Sequence, residues 1–199
     1  MVWRRILAGL VIAGGMFLTV TQLGTGQPPK SARSDSGPAF RWLIPASPPT
    51  DWGRISLPSG NAVLAYPPQF HPIRSDPGTV SVAVLDKAGH YLAYLNATPR
   101  QGSEQLATWP TFRIDHQRDE GVTSIHERAQ ASNLEFRAGR GSCTIDEYVT
   151  LVGHNSYREV ACLVVGASSS SVVVAAAPPN QWSSIGPTLL RALAAYQVR

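Results

Sequence analysis

Lysine is almost missing from this chain: Lys30 and Lys87 are the only two among 17 basic residues. Cysteine is as scarce, with Cys143 and Cys162 alone in 199 residues. No Cys-x-x-Cys exists, so a redox-active thiol pair is not indicated. The histidines His71, His90, His116, His126 and His154 include no i, i+4 pair and no Cys/His cluster, so the spacings that mark a zinc site are absent. Gly141-Ser142-Cys143 is not the Gly-x-Ser-x-Gly nucleophile elbow. Asp115 and His116 are chain neighbours, which denies Ser142 the Asp–His orientation a triad needs. No phosphate-binding loop is found. These absences predict a protein that is not an enzyme and needs neither metal nor cofactor; a hydrolase using Ser142 is the residual third reading.

Acid is missing from the first 30 residues, which hold Arg4, Arg5 and Lys30. The formal charge of +4 therefore belongs to the N-terminus, and the remainder carries 14 basic against 13 acidic residues. A nearly neutral domain has no electrostatic footprint for nucleic acid, and none is expected as a partner.

One long apolar run is present, ILAGLVIAGGMFLTV over 6–20, directly after Trp3-Arg4-Arg5. As a helix its 15 residues reach roughly 22 Å, short of a ~30 Å hydrocarbon core, and Thr21, Gln22 and Leu23 bring it close to a full span. Arginines before an apolar run keep the N-terminus cytoplasmic. The expectation is a signal anchor or transmembrane helix over 1–23, with the C-terminal domain extracytoplasmic at the cell membrane. The alternative is a signal cleaved near Gly24-Thr25-Gly26 and a secreted domain.

Residues 24–60 hold seven of the 16 prolines and read as an extended linker. Phe40, Trp42, Leu43 and Ile44 interrupt it. They are expected to dock on the domain, with a partner-binding peptide around Trp42 as the sharper alternative. From 61 to 199 the pattern is α+β: a mostly antiparallel sheet packed by helices. Strands are predicted over 62–66, 79–85, 90–96, 122–129, 134–138, 143–151, 157–165 and 171–177. A helix is expected over 101–116, with Ser103 as N-cap and Pro110 as a kink or a new start. A second runs over 181–196 with Trp182, Ile185, Leu189, Leu190 and Leu193 on one stripe.

The cysteines supply a register. Their midpoint falls between Val152 and Gly153, in a predicted turn, so antiparallel pairing about it sets Cys143 against Cys162. It also pairs Ile145 with Val160, Glu147 with Arg158 and Tyr148 with Tyr157, each a favourable cross-strand pair. A disulfide is expected. One pair objects, because Asp146 meets Glu159. Either that face is solvated or a bulge shifts the register.

The binding candidates lie on loops. Thr98, Arg100 and Gln101 belong to the polar segment 98–102 between strand and helix. Arg137 and Arg140 sit in Arg-Ala-Gly-Arg-Gly, where glycine lets backbone approach a ligand. Asn96-Ala97-Thr98 matches a glycosylation sequon by chance.

The runs YLNATPRQGSE (94–104), GRGSCTIDEYVT (139–150), YREVACLVVG (157–166) and VVVAAAPPNQW (172–182) resemble a family of uncharacterised actinobacterial membrane-anchored or secreted proteins. The order of elements resembles the PsbP/Mog1-like fold. That resemblance implies an accessory or assembly factor acting through its surface, and supplies no catalytic residue. The expectation is therefore a non-enzymatic, membrane-tethered module binding a cell-envelope protein partner; the alternative is a binder of a small anionic ligand or envelope polymer.

Overall fold

In the segment Ser170–Ala177 every residue from 172 onward is apolar, and nearly all of that strand is buried. A strand with no polar alternation belongs where both faces of a sheet are covered. The computed structural model, which describes residues 37–199, puts it there. The strand is β9, fourth in a seven-stranded antiparallel sheet. From one edge that sheet runs β3 (His71–Ile73), β4 (Val80–Leu85), β5 (Tyr91–Pro99), β9, β8 (Ser156–Gly166), β7 (Gly139–Val149) and β6 (Thr123–Phe136). A second sheet of three strands places β2 (Ala62–Tyr66) between β1 (Gly53–Ser56) and β10 (Gln197–Val198). Helices α1 (Trp109–Asp119) and α2 (Trp182–Ala194) complete an α+β fold.

The two sheet faces bury different cores. Cys143, Val160, Cys162, Val164, Val173 and Ala175 face the larger one, with Leu189 and Leu193 of α2 and Leu64 of β2. The intervening residues Ala161, Leu163, Val172 and Val174 face a smaller cluster under Trp109 of α1. This alternation is the period of two expected of a strand. α2 closes the large core with the predicted stripe: Leu189 and Leu193 are fully buried, while Trp182, Ile185 and Leu190 pack at its margin.

The cysteine register holds. Cys143 and Cys162 are cross-strand partners joined by a disulfide, and Ile145–Val160, Glu147–Arg158 and Tyr148–Tyr157 pair as expected. A disulfide persists in oxidising compartments, which indicates an extracytoplasmic domain. No helix among the described residues is long and apolar enough to cross a membrane; the expected anchor at 1–23 lies outside them.

Four expectations need correction. The first helix begins at Trp109, with Pro110 in its first turn, where its missing N–H is harmless and its φ is already helical. Residues 101–108 precede it as loop, and Ser103 caps nothing: Thr108 holds the N-cap position without a side-chain bond. The two strands expected over 122–129 and 134–138 are one, β6, whose register shifts between Ala131 and Leu134. Asn133 there takes a positive φ of 58°, which an asparagine tolerates in a bulge. Finally, the proline-rich tract contributes β1, paired to β2 throughout its length. Phe40 is buried in the large core with Trp42 and Leu43 against it, whereas Ile44 is 70% exposed.

Candidate functional site

Register brings distant arginines to one rim of the large sheet. Arg100, just past β5, donates its backbone N–H to Ser170 O at 3.2 Å. Ser170 pairs with Val165, Val165 with Arg140, and Arg140 with Glu135. Arg100 and Arg140 thus lie in one cross-strand row, three strand spacings or ~14 Å apart along the backbone, with Glu135 of the edge strand beyond Arg140. Both are exposed. Arg140 is steadied by Nη1 donating to Asn133 Oδ1 at 2.7 Å. Arg137 lies at the same end, bridged through its backbone to Gln197.

Thr98 and Pro99, expected in a loop, end strand β5; Pro99 and the residues to Gly102 form one wall of an open cleft of about 470 Å³ at this rim, with Arg100 and Gln101 opposite Ser168, Ser169 and Ser170. Glu104 shapes the loop. Its carboxylate is buried and accepts the backbone N–H groups of Gln101 at 3.1 Å and Gly102 at 2.7 Å. Thr98 is half-buried on the sheet, its hydroxyl donating to Asn96 Oδ1 at 2.9 Å. The Asn96 amide in turn donates to Ser81 Oγ and Val80 O. Trp42 is not at this cleft's lining; its indole N–H donates to Ala39 O and its ring packs at the large core.

The glycines of the Arg-Ala-Gly-Arg-Gly run have another purpose than the one expected. A Cβ on Gly139 would meet Val165 O at 2.6 Å, and one on Gly141 would meet the Phe136 ring at 2.5 Å. They admit the neighbouring strand and the aromatic ring that covers the hairpin. Ser142 is fully buried, its hydroxyl donating to Ala131 O and bonded to Ser132 Oγ.

At the other end of the sheet a second open cleft, of about 590 Å³, is lined by His90, Tyr91, Tyr157 and the segment from Pro178 to Gln181.

Between the two ends, beneath α1, lies the group that the sequence reading missed. Asp146 and Glu159 do face each other, but neither expected explanation applies. The register is regular, and the residues are 0% and 1% exposed. Helix α1 covers them with polar side chains one turn apart. Arg113 binds Glu159 through Nε at 2.7 Å and Nη2 at 2.9 Å. Gln117 Nε2 donates to Asp146 Oδ1 at 3.1 Å and lies 3.4 Å from Glu159 Oε1. Tyr148 OH donates to Glu159 Oε2 at 3.3 Å. Burial disfavours the guanidinium, but the Glu159 charge and hydrogen bonds outweigh it and hold Arg113 protonated above its ordinary range. Burial, then Glu159, pushes the Tyr148 phenol well up. Burial, with the Glu159 charge added, pushes Asp146 up to about 7. The available signal was the like-charge pair itself, with Arg113 and Gln117 at helical i, i+4 spacing. Among the described residues no three His, Cys, Asp or Glu side chains are grouped to hold a metal.

No family model matches the sequence, and no curated protein does. The fold is PsbP-like. The solution structure of cyanobacterial PsbP (CyanoP) from Synechocystis sp. PCC 6803 superposes with a TM-score of 0.52 at 12% identity, covering 76% of this chain and 95% of that one. A Pseudomonas aeruginosa protein of unknown function, PA94, gives 0.45 at 7% identity over 74% of this chain and 97% of its own. A Bacteroides thetaiotaomicron structure gives 0.46 at 10% identity over 75% of this chain and 49% of its own.

Proposed function

We propose that the protein is a non-enzymatic accessory or assembly module of the cell envelope, tethered to the membrane by residues 1–23 and binding a protein partner through the rim that carries the 98–102 loop. The supporting observation is the open cleft between that loop and Ser168–170, on a rim stiffened by the sheet. A broad, polar, solvent-facing wall suits contact with another surface more than enclosure of a small substrate. The PsbP-like fold and the resemblance to actinobacterial anchored or secreted proteins support the same reading by analogy. The test is in-cell crosslinking of the tagged full chain, comparing wild type with Arg100→Glu. A stoichiometric envelope protein that disappears from the Arg100→Glu sample supports the proposal. Equal recovery of every crosslinked protein from both samples counts against this rim. Trp42→Ala, at the tract that docks on the core, tests the other candidate contact in the same assay.

A second reading rests on the row from Arg100 through Ser170 to Arg140. The Arg100 and Arg140 backbones stand three strand spacings, ~14 Å, apart on one rim, and both side chains are exposed. They suit a polymer with repeated negative groups. Binding of inorganic polyphosphate that is reduced in both Arg100→Gln and Arg140→Gln supports this reading; binding that ignores both substitutions removes it.

A further inference from the structure

Two acceptors are left over in the cluster beneath α1. Arg113, Tyr148 and Gln117 supply the carboxylate of Glu159, and Gln117 Nε2 supplies Asp146 Oδ1. Gln117 Oε1 and Asp146 Oδ2 are buried and meet no donor. These two atoms belong to groups already joined by one hydrogen bond. A primary amide and a carboxylic acid can join twice: N–H to the carbonyl oxygen, and O–H to the amide oxygen. The first of these bonds is present, and the two orphaned atoms are the ends of the second. One proton on Asp146 Oδ2 would satisfy both. Without it, both bear the desolvation of an unmade hydrogen bond, which is rarely tolerated in a native interior.

We propose that Asp146 is the protonated partner of Gln117 in a cyclic acid–amide pair, and that this pair is a proton-operated clamp holding α1 on the sheet. The carboxyl groups around Asp146 and its burial favour the proton, while the Gln117 hydrogen bond and the Arg113 charge oppose it less strongly. Glu159 of β8 faces Asp146 directly, and Glu127 of β6 is its partner on the other flank. Tyr148 of β7 and Tyr94 of β5, which lies in the same cross-strand row as Glu159, are neutral at physiological pH. Arg113 is the cation on α1 facing the pair, and its guanidinium donates two hydrogen bonds to Glu159. Burial and the Glu159 charge act together on Asp146. α1 is held besides by the Arg113–Glu159 pair, by Trp109, whose Nε1 donates to Ala161 O, and by the buried Ile114, with Phe112 packed against the Trp109 cluster.

The direction follows from linkage. With α1 released, Asp146 is solvated and ionises near its ordinary value of 3.8; under α1 it does so near 7. Rising pH therefore favours release between those two values, by at most about tenfold per pH unit, and adds nothing above them.

The experiment is amide hydrogen exchange of residues 109–119 in the full-length chain from about pH 4.5 to 7.5, corrected for the intrinsic rate, with a ¹³C NMR titration of the Asp146 carboxyl alongside. His116→Gln is the control, because His116 of the same helix pairs with the C-cap Glu120 at 3.2 Å, which raises its pKa and makes it a second titrating group on α1. The expected result is a protection that falls as pH rises in wild type and His116→Gln. In Asp146→Asn combined with His116→Gln, which keeps the amide geometry without either titrating proton, protection loses its fall with pH, and Asp146→Asn alone shows a flatter fall than wild type. The carboxyl titration is expected to centre near neutrality, and it decides the matter even if Asp146→Asn does not fold. A midpoint in the ordinary carboxylate range, or identical exchange profiles for wild type and Asp146→Asn, overturns the clamp and leaves a bridging water or ion to fill the two positions.

Discussion

Glu159 receives two hydrogen bonds from the guanidinium of Arg113, whereas Asp146, its direct cross-strand partner, is met by the neutral amide of Gln117. Two adjacent buried carboxyl groups are thereby made unequal. One is stabilised as an anion by a bidentate charge-assisted pair. The other is left where only its neutral form is comfortable. The same inequality drives the first two predictions.

Arg113→Met strips Glu159 of its counter-ion while leaving it buried beside Asp146. Breaking such a pair from one side costs about 3–5 kcal/mol. Urea unfolding should show a loss of that size. Arg113→Met combined with Glu159→Gln should cost less than the two single losses added, because the stranded charge is then gone.

Stability of the domain should decline as pH rises from about 4 to 7. Asp146 has a folded pKa raised above its unfolded value, so its contribution is complete below the ordinary value of 3.8 and is lost as pH climbs through about 7. His116, raised by its hydrogen bond to Glu120, acts in the same direction. Glu147 acts oppositely: held down by Arg128 and Arg158, it stabilises above the ordinary carboxylate range and loses that contribution as pH falls. Asp146→Asn should therefore be more stable than wild type at pH ~7.5, with a flatter profile between the two limits. Chemical denaturation at a series of pH values measures this.

The disulfide closes a loop whose ends are 19 residues apart. Replacing it with Cys143→Ala and Cys162→Val should destabilise the domain by about 2–4 kcal/mol. Thermal unfolding of oxidised, reduced and doubly substituted protein should place the last two close together, well below the first.

Gly139→Ala should damage the β6–β7 hairpin more than Gly141→Ala does. Its new methyl would meet the backbone carbonyl oxygen of Val165 at 2.6 Å, while that of Gly141 would meet the Phe136 side chain at 2.5 Å and the backbone only at Leu163 O, 3.0 Å away. Overpacking of this kind costs about 1–3 kcal/mol. Denaturant midpoints of the two variants give the order, and the reverse order would mean that the Phe136 ring cannot move.

Much of this fold was legible because its determinants are local. Alternating or continuous apolar runs marked β2, β8 and β9 to within a residue or so, and α2 showed its stripe. The β7–β8 register could be read because the turn between 151 and 154 placed the two cysteines symmetrically. The start of α1 was misplaced because residues 101–108 are held by the buried Glu104 carboxylate, a contact that no periodicity announces. Strand β6 looked divided because its bulge residues, Ser132 and Asn133, have the composition of a turn. β3 and β10, of three and two residues, are too short to carry a pattern and exist only because a neighbouring strand offers hydrogen bonds.

The candidate site divides along the same line. The amino-acid order by itself determined the β4–β5 hairpin and the β7–β8 pairing, and with the latter that Cys143 meets Cys162 and that Asp146 falls opposite Glu159. Only the tertiary structure decided what that last pair means. Whether facing carboxyl groups are solvated or buried depends on what lies over them, and α1 reaches them from 29 residues earlier in the chain for Gln117 to Asp146 and 46 for Arg113 to Glu159. The sign of a charge is a property of sequence, whereas its protonation is set by the water excluded from it and the partners brought to it, and folding supplies both.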